Sequence, residues 1–290
     1  MPGSSLVSVL VPAYNHERCV NDCLASIVAQ THPDLELIIA NDGSTDDTHQ
    51  AIDAFLHQHA SRFARVVYLN RPNRGIAATL NELLSQARGR FLFLIASDDR
   101  AKPQAVSTLY SVLARRPRVA LAVGDNEIID ATGKVVFWDA QRRNVVDPSL
   151  ASFLTWGEYL KSTRPAKDFS RRGFGHVEAL ARGNYIPNGK MFRRTSVERV
   201  GGWRPGTLED WDLNFRLARR YRLAYVDEVL FSYRWHDTNT IKNAPLIQGL
   251  HEHTQELIAA QRRDPLLRLR IRLHRQPLRW AAARLRRTAL

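Results

Sequence analysis

The chain has 290 residues, of which 44% are apolar and 24% charged, an ordinary globular mixture that excludes a disordered or collagen-like polymer. Its 42 basic and 29 acidic residues give a net charge of +13, and the excess is local: residues 262 to 290 hold ten Arg and one acid, Asp264, leaving 32 minus 28, or +4, for residues 1 to 261. The body is mildly basic and the tail strongly so, which points to an anionic surface as the tail's partner.

No apolar run approaches the roughly 20 residues that span a bilayer, and no basic segment precedes Leu6, so neither a membrane-spanning nor a secreted chain is expected. Cys19 and Cys23 are too few for a disulfide scaffold and lack companions for a zinc site, which fits a reducing cytoplasm.

Leu6 to Val11 reads as a buried strand closed by Pro12, and Val20, Leu24, Ile27 and Val28 recur at helical spacing. Leu35 to Ala40 is a second strand, ending at Asn41-Asp42-Gly43-Ser44. Strand, helix, strand opens a parallel α/β sheet. The alternation continues with a helix around Ala51 to Phe55, a strand at Arg65 to Leu69 and a helix carrying Ala77, Leu80, Leu83, Leu84 and Ala87. Next come the very apolar strand Phe91 to Ala96, a helix whose first turn holds Pro103, and a strand at Val119 to Val123 with an edge pair near Thr132-Gly133-Lys134. This covers a first half, to about residue 138. Regularity weakens from Asp139 to Gly189, where a mobile, substrate-facing insertion is expected. Order returns at Met191 to Arg194, a turn at Gly201-Gly202, a helix from Glu209 to Arg220, and two strands, Leu223 to Val226 and Phe231 to Arg234.

Ligands bind at the carboxyl ends of strands in open α/β sheets. Those positions are Pro12 to Asn15, Asn41 to Ser44, Asn70 to Gly75, and Ser97-Asp98-Asp99. Asp42 alone suits a turn or a cap as well as a ligand. Two adjacent carboxylates after a buried strand repel unless a cation or sugar hydroxyls hold them, which suggests a hard divalent metal on phosphate oxygens. Neither Gly-x-Gly-x-x-Gly nor the P-loop pattern is present, so a metal on carboxylates is the natural way to hold a diphosphate. A nucleotide-sugar or nucleotidyl transferase follows.

Val9 to Asn15, Asn41 to Thr48, Asn73-Arg74-Gly75, Ser97-Asp98-Asp99, Gly201-Gly202-Trp203, Leu208 to Leu213 and Tyr233-Arg234-Trp235-His236 resemble, in order and spacing over residues 6 to 240, the successive motifs of family-2 glycosyltransferases with the GT-A fold. The resemblance implies an α/β fold with a mixed central sheet and helices on both faces, as a domain over 1–240 (nucleotide half 1–138, acceptor half 139–240), followed by a helical Arg-rich tail over 241–290. It implies that Asp42 binds the base or ribose edge near Pro12, Tyr14, Asn73 and Gly75. It places Asp98 at the ribose, and Asp99 at Mn²⁺ or Mg²⁺ with His236 as a further ligand. Asp210 would be the general base, with Glu209 the next candidate, and single displacement would invert the sugar carbon. A UDP-sugar donor, a glycan or lipid-linked acceptor and a role in cell-surface polysaccharide synthesis on the cytoplasmic membrane face are the expected setting.

Several side chains have ordinary roles open to them. Trp211 and Leu213 suit the core, Asp212 a solvated or capping position, and Lys190, Arg193 and Arg194 either a phosphate or water. In the tail, Arg268, Arg272, Arg275 and Arg279 share one helical stripe, with Leu266, Leu269, Leu273 and Trp280 on another side, the pattern of a basic helix on an anionic membrane; Pro277 and the Arg268 to Leu273 alternation leave a kinked helix or a strand open. The alternatives are a metal-dependent nucleotidyltransferase and a non-enzymatic basic protein binding membrane or nucleic acid. No recognisable nucleic-acid motif accompanies the charge, so no specific nucleic acid is expected as a partner.

Overall fold

The computed structural model describes residues 5–163, 168–170 and 173–262. In chain order it runs β1 (Val7–Ala13), α1 (Val20–Val28), β2 (Leu35–Asp42), α2 (Thr48–His59), β3 (Arg65–Arg71), α3 (Ile76–Gln86), β4 (Phe91–Leu94), β5 (Arg100–Ala101), α4 (Ala105–Arg115), β6 (Val119–Ile129), β7 (Val135–Trp138) and β8 (Asn144–Val145). There follow α5 (Trp156–Thr163), α6 (Val177–Leu180), β9 (Lys190–Arg193), α7 (Arg194–Arg199), α8 (Glu209–Ala218), β10 (Arg222–Arg234) and α9 (Ala244–Arg262).

The sheet order is β3-β2-β1-β4-β9-β6-β10-β5. Strands β1 to β4 are parallel, β9 is antiparallel to both β4 and β6, and β10 returns parallel to β6. This is the mixed α/β sheet of a GT-A fold. All eight residues of β2 are buried, as expected of a strand covered on both faces. Val9, Leu24, Ile27, Leu37 and Leu109 pack one face with α1, α2 and α4, while Leu10, Ile38, Leu80, Leu83, Trp211 and Phe215 pack the other with α3 and α8.

Pro12 lies inside β1 rather than ending it, in register with Ala40. Pairing with β4 stops at Leu10 and Leu94, and the Leu10 carbonyl accepts from Ile95 on that side. Pro12, two residues on, presents its missing donor to the same side, where the partner strand has already ended. The two expected strands at 223–226 and 231–234 are one 13-residue strand, β10, with register shifts between Tyr225 and Phe231; the bulges carry Asp227 and Glu228 through what looks like a break in apolar pattern. The expected first-turn Pro103 lies outside α4, which starts at Ala105.

The segment 139–189 is more regular than expected in its described part. Trp138 meets Trp156 at 5.2 Å and Trp235 at 5.0 Å, and Trp156 meets Tyr233 at 5.1 Å. The Asp125 carboxylate accepts from the Thr155 hydroxyl and the Gly157 N–H, each at 2.7 Å, and so pins the start of α5. α9 lies on α8, with Ile258 buried and the Thr254 hydroxyl accepting the Leu208 N–H at 2.8 Å. Residues 263–290, which include most of the Arg-rich tail, lie outside the described residues.

Candidate active site

The carboxyl edge of the parallel strands gathers the loops singled out from the sequence. Beyond β1, Asn15 turns left-handed (φ 54°), its N–H donates to Ser44 Oγ at 2.9 Å, and its side-chain oxygen accepts the Thr45 N–H at 2.8 Å. The loops after β1 and β2 are thus laced together. Gly43 adopts φ +72°, and a Cβ there would stand 2.4 Å from the Asn73 nitrogen, so only glycine lets the β2 and β3 loops touch. Tyr14 is half-exposed at the rim, and the Asn73 side-chain Oδ1 accepts the Gly75 N–H at 3.0 Å, where α3 begins.

Asp42 is buried at the end of β2 and accepts from the Arg74 N–H at 2.8 Å and from the Arg71 guanidinium. Burial alone would raise its pKa, but these hydrogen bonds hold the carboxyl below the usual carboxylate range.

The adjacent pair after β4 divides. Asp98 Oδ2 lies 3.1 Å from His236 Nε2 and 3.8 Å from His16 Nε2, and His16, Asp98 and His236 offer ligand atoms that all lie within 4.8 Å of one another. Asp99 instead accepts the Arg234 N–H at 2.9 Å and stands outside that group. Of the two carboxylates that the resemblance places at the ribose and on the metal, Asp98 is the one that meets His236 and His16, and Asp99 meets the Arg234 backbone. Burial and the Asp98 charge push Asp99 well above the ordinary carboxylate range, whereas Asp98, against the burial that would raise it, is held low by the His236 hydrogen bond and the neighbouring His16. His16 itself is lowered, chiefly by burial, and so favours neutral imidazole, the form that ligates metals.

His16 was missed by the sequence analysis, although it stands one residue past the Pro12 to Asn15 loop. Its N–H donates to Thr48 Oγ1 at 2.8 Å, and its carbonyl accepts from Cys19 and Val20 at the start of α1.

The carboxylates at the start of α8 lie across β9. Lys190 pairs in register with Leu94 of β4 and Val123 of β6. It is 2% exposed, and its ammonium forms an ion pair with Asp210. Glu209, beside it, is raised to about 7 by burial and by the Asp210 charge. Both acids sit in the first turn of α8, where the N–H groups favour negative charge. Trp211 and Leu213 are in the core as expected, with Trp211 Nε1 donating to the Leu180 carbonyl at 2.6 Å. Asp212 is neither solvated nor a cap: it is fully buried and accepts from Arg216 Nε at 2.8 Å. Arg193 caps the end of α4, donating to the Leu113 carbonyl at 2.7 Å, and Arg194 pairs with Glu198 at 2.7 Å.

Arranged this way, one sheet edge brings together Asp42, the His16, Asp98 and His236 trio, and Asp210 with Lys190. Among known proteins, Escherichia coli chondroitin synthase is 33% identical over 131 residues, 45% of this chain and 18% of that protein. The chain spans only 13% to 35% of the length of the first five curated relatives that it matches. Among solved structures, Staphylococcus aureus TarS 1–349 in complex with UDP-GlcNAc superposes with a TM-score of 0.59 at 16% identity, over 82% of this chain and 60% of that one. The mannosyltransferase PcManGT of Pyrobaculum calidifontis, in complex with GDP-Man and Mn²⁺, gives 0.57 at 18% identity, over 78% and 56%. At such identities the likeness shows the fold alone. The model of glycosyl transferase family 2 matches residues 8–201, and with two thirds of its length inside that match the chain belongs to this family.

Proposed function

We propose that the chain transfers a sugar from a nucleotide sugar, with UDP as the nucleotide, to a glycan or lipid-linked acceptor with inversion at the anomeric carbon, in cell-surface polysaccharide synthesis. The observation that carries this reading is that Asp98 with His236 and Asp210 with Lys190 meet at one end of the sheet, joined through the β4–β9 pairing. Asp42 takes the base edge: a carboxylate accepts a ring N–H such as that of a uracil, and Pro12, Tyr14, Asn73 and Gly75 shape the pocket around it. TarS, with UDP-GlcNAc, supports the donor class.

Asp98 and His236 would hold the divalent metal, an imidazole nitrogen and a carboxylate oxygen being donors that Mn²⁺ accepts; Mn²⁺ in PcManGT supports this assignment. When bound, a dication neutralises charge growing on the leaving diphosphate. Asp210 orients the acceptor hydroxyl and takes its proton late, as positive charge builds on the attacking oxygen. Lys190 holds Asp210 in place. A single carboxylate opposite the leaving group gives single displacement, hence inversion. The Arg-rich tail seats the enzyme on the inner face of the cytoplasmic membrane; no helix among the described residues is long and apolar enough to cross one.

A thermal-shift panel of nucleoside diphosphates and their sugars tests the reading, because a ligand that binds the folded state stabilises it by mass action. UDP with Mn²⁺ is expected to raise the melting temperature, the shift vanishing with EDTA and falling sharply in Asp98→Ala. An equal UDP shift in EDTA would remove the metal from the site.

A further inference from the structure

Both histidines around Asp98 are oriented in the same way. His16 Nδ1 lies 2.7 Å from Ser97 Oγ, and His236 Nδ1 lies 2.8 Å from Thr238 Oγ1. With a hydroxyl holding Nδ1, each ring presents Nε2 to the same carboxylate oxygen, at 3.8 Å for His16 and 3.1 Å for His236. The rings stand nearly perpendicular, at 86°, with centroids 6.1 Å apart, so their Nε2 atoms converge without stacking. Two ligands about 2.1 Å from an octahedral ion are about 3 Å apart when cis and about 4.2 Å apart when trans, a range that contains the 3.1 and 3.8 Å separations. The backbone that carries each ring is also held. His16 is anchored by Thr48 and by the first turn of α1, and the His236 N–H donates to Asn239 Oδ1 at 2.7 Å.

A hydrogen-bond partner on the far nitrogen of a ligating histidine fixes the aim of its ring, as outer partners do around built metal sites, and a hydroxyl that accepts from Nδ1–H leaves Nε2 free to ligate. Here the arrangement occurs twice, on residues 220 positions apart in sequence that the fold brings to one carboxylate. Donor type then sets the preference among cations. Mg²⁺ demands oxygen ligands and keeps its waters, whereas imidazole suits first-row transition metals. A set with two nitrogens and one oxygen favours Mn²⁺, and a site with Asp98 and one histidine discriminates less.

We propose that His16 is a third protein ligand of the metal site, positioned by Ser97, and that the resulting set of two imidazoles and one carboxylate selects Mn²⁺ over Mg²⁺. This rests on the metal reading given above and adds to it a ligand and a selectivity.

The test is metal binding to the full-length chain without nucleotide, followed by the loss of the free Mn²⁺ electron paramagnetic resonance signal and by Mg²⁺ competition. Wild-type protein is expected to hold Mn²⁺ at least about 10-fold more tightly than Mg²⁺, with spin-echo modulation from two imidazole nitrogens. His16→Ala should lose about 10-fold or more in Mn²⁺ affinity, change little toward Mg²⁺ and show one imidazole; His16→Asp, an oxygen ligand, should narrow the Mn²⁺ to Mg²⁺ gap. Ser97→Ala keeps the ligand but frees its ring, and should weaken Mn²⁺ by about 10-fold or more; it also serves if His16→Ala does not fold. Unchanged Mn²⁺ affinity in both His16→Ala and Ser97→Ala, with wild-type binding intact, overturns the third ligand alone. Equal losses for both cations in His16→Ala overturn the selectivity. A wild-type chain that binds neither cation overturns the metal reading itself along with it.

Discussion

Asp210 and Lys190 carry the sharpest expectations at the level of single residues. Asp210→Asn keeps shape and hydrogen bonding but loses basicity, so turnover should fall by about 10²-fold or more while UDP binding persists. The same change strands the buried Lys190 ammonium. Because Asp210 is itself a quarter exposed, the cost should be about 1–3 kcal/mol, below that of breaking a fully buried pair. Assays should therefore run well below the lowered melting point, and near-normal turnover would place the base elsewhere, with Glu209 next.

Glu209 makes a prediction in pH. Its carboxyl is raised from 4.5 to about 7, so the folded chain holds a proton that the unfolded chain has released over that range. Stability from this group is present at low pH and falls as pH rises from about 4.5 to 7. Glu209→Gln cannot ionise and escapes the loss. Its melting temperature relative to wild type should rise between pH 5 and pH 8, and a constant difference would show that the carboxyl titrates normally in the fold.

At the scale of elements, α5 is held by one carboxylate. An added Cβ at Gly157 would stand 2.5 Å from both Asp125 carboxylate oxygens, so Gly157→Ala must push α5 away from β6. Overpacking of this kind costs about 1–3 kcal/mol. The shift should also alter near-ultraviolet circular dichroism, because Trp156 sits in the ring cluster with Trp138 and Tyr233. An unchanged melting point and spectrum would mean that α5 tolerates displacement, and that the aromatic cluster does not depend on the Asp125 clamp. Asp212 and Arg216 show how an element can use charge for packing. One turn apart on α8, they form a buried pair, and Arg216 reaches the carbonyls of Val200 and Gly202, at 2.5 and 2.6 Å, fixing the glycine turn against the helix.

For the whole molecule, charge divides the chain into a mildly basic body and a strongly basic tail. The folded body gathers the candidate site at one sheet edge, and the Arg-rich stretch lies beyond α9, whose Ile258 is already buried. Removing residues 263–290 should therefore abolish co-sedimentation with anionic vesicles while leaving the metal-dependent UDP shift intact. Each Arg near an anionic surface contributes about 1 kcal/mol, screened over about 10 Å at 0.1 M salt. Apolar contact from Leu266, Leu269, Leu273 and Trp280 should leave a salt-resistant fraction of binding. Undiminished sedimentation of the truncated chain would rule out the tail as the anchor, and loss of fold would return those leucines to the core.

Alternation of strand and helix was legible along most of the chain because it is written in short-range periodicity: Leu35 to Ala40 and Phe91 to Ala96 are apolar because both faces of a parallel sheet are covered. The polar loops after those strands were legible for the same reason, since ligands meet a parallel sheet at its carboxyl ends. Long-range contacts were not. Which of Asp98 and Asp99 meets His236, that His16 joins them, and that Lys190 pairs with Asp210 depend on directions and distances between residues 20 to 220 positions apart. The region 139–189 looked irregular because its order comes from Trp138, Trp156 and Trp235 packing together and from Asp125, contacts with no local period. The sequence by itself determined the α/β alternation and the set of polar loops, which follow from local burial; tertiary structure alone decided which side chains of those loops share a site, because that follows from where the sheet order β1-β4-β9-β6-β10 puts each strand end.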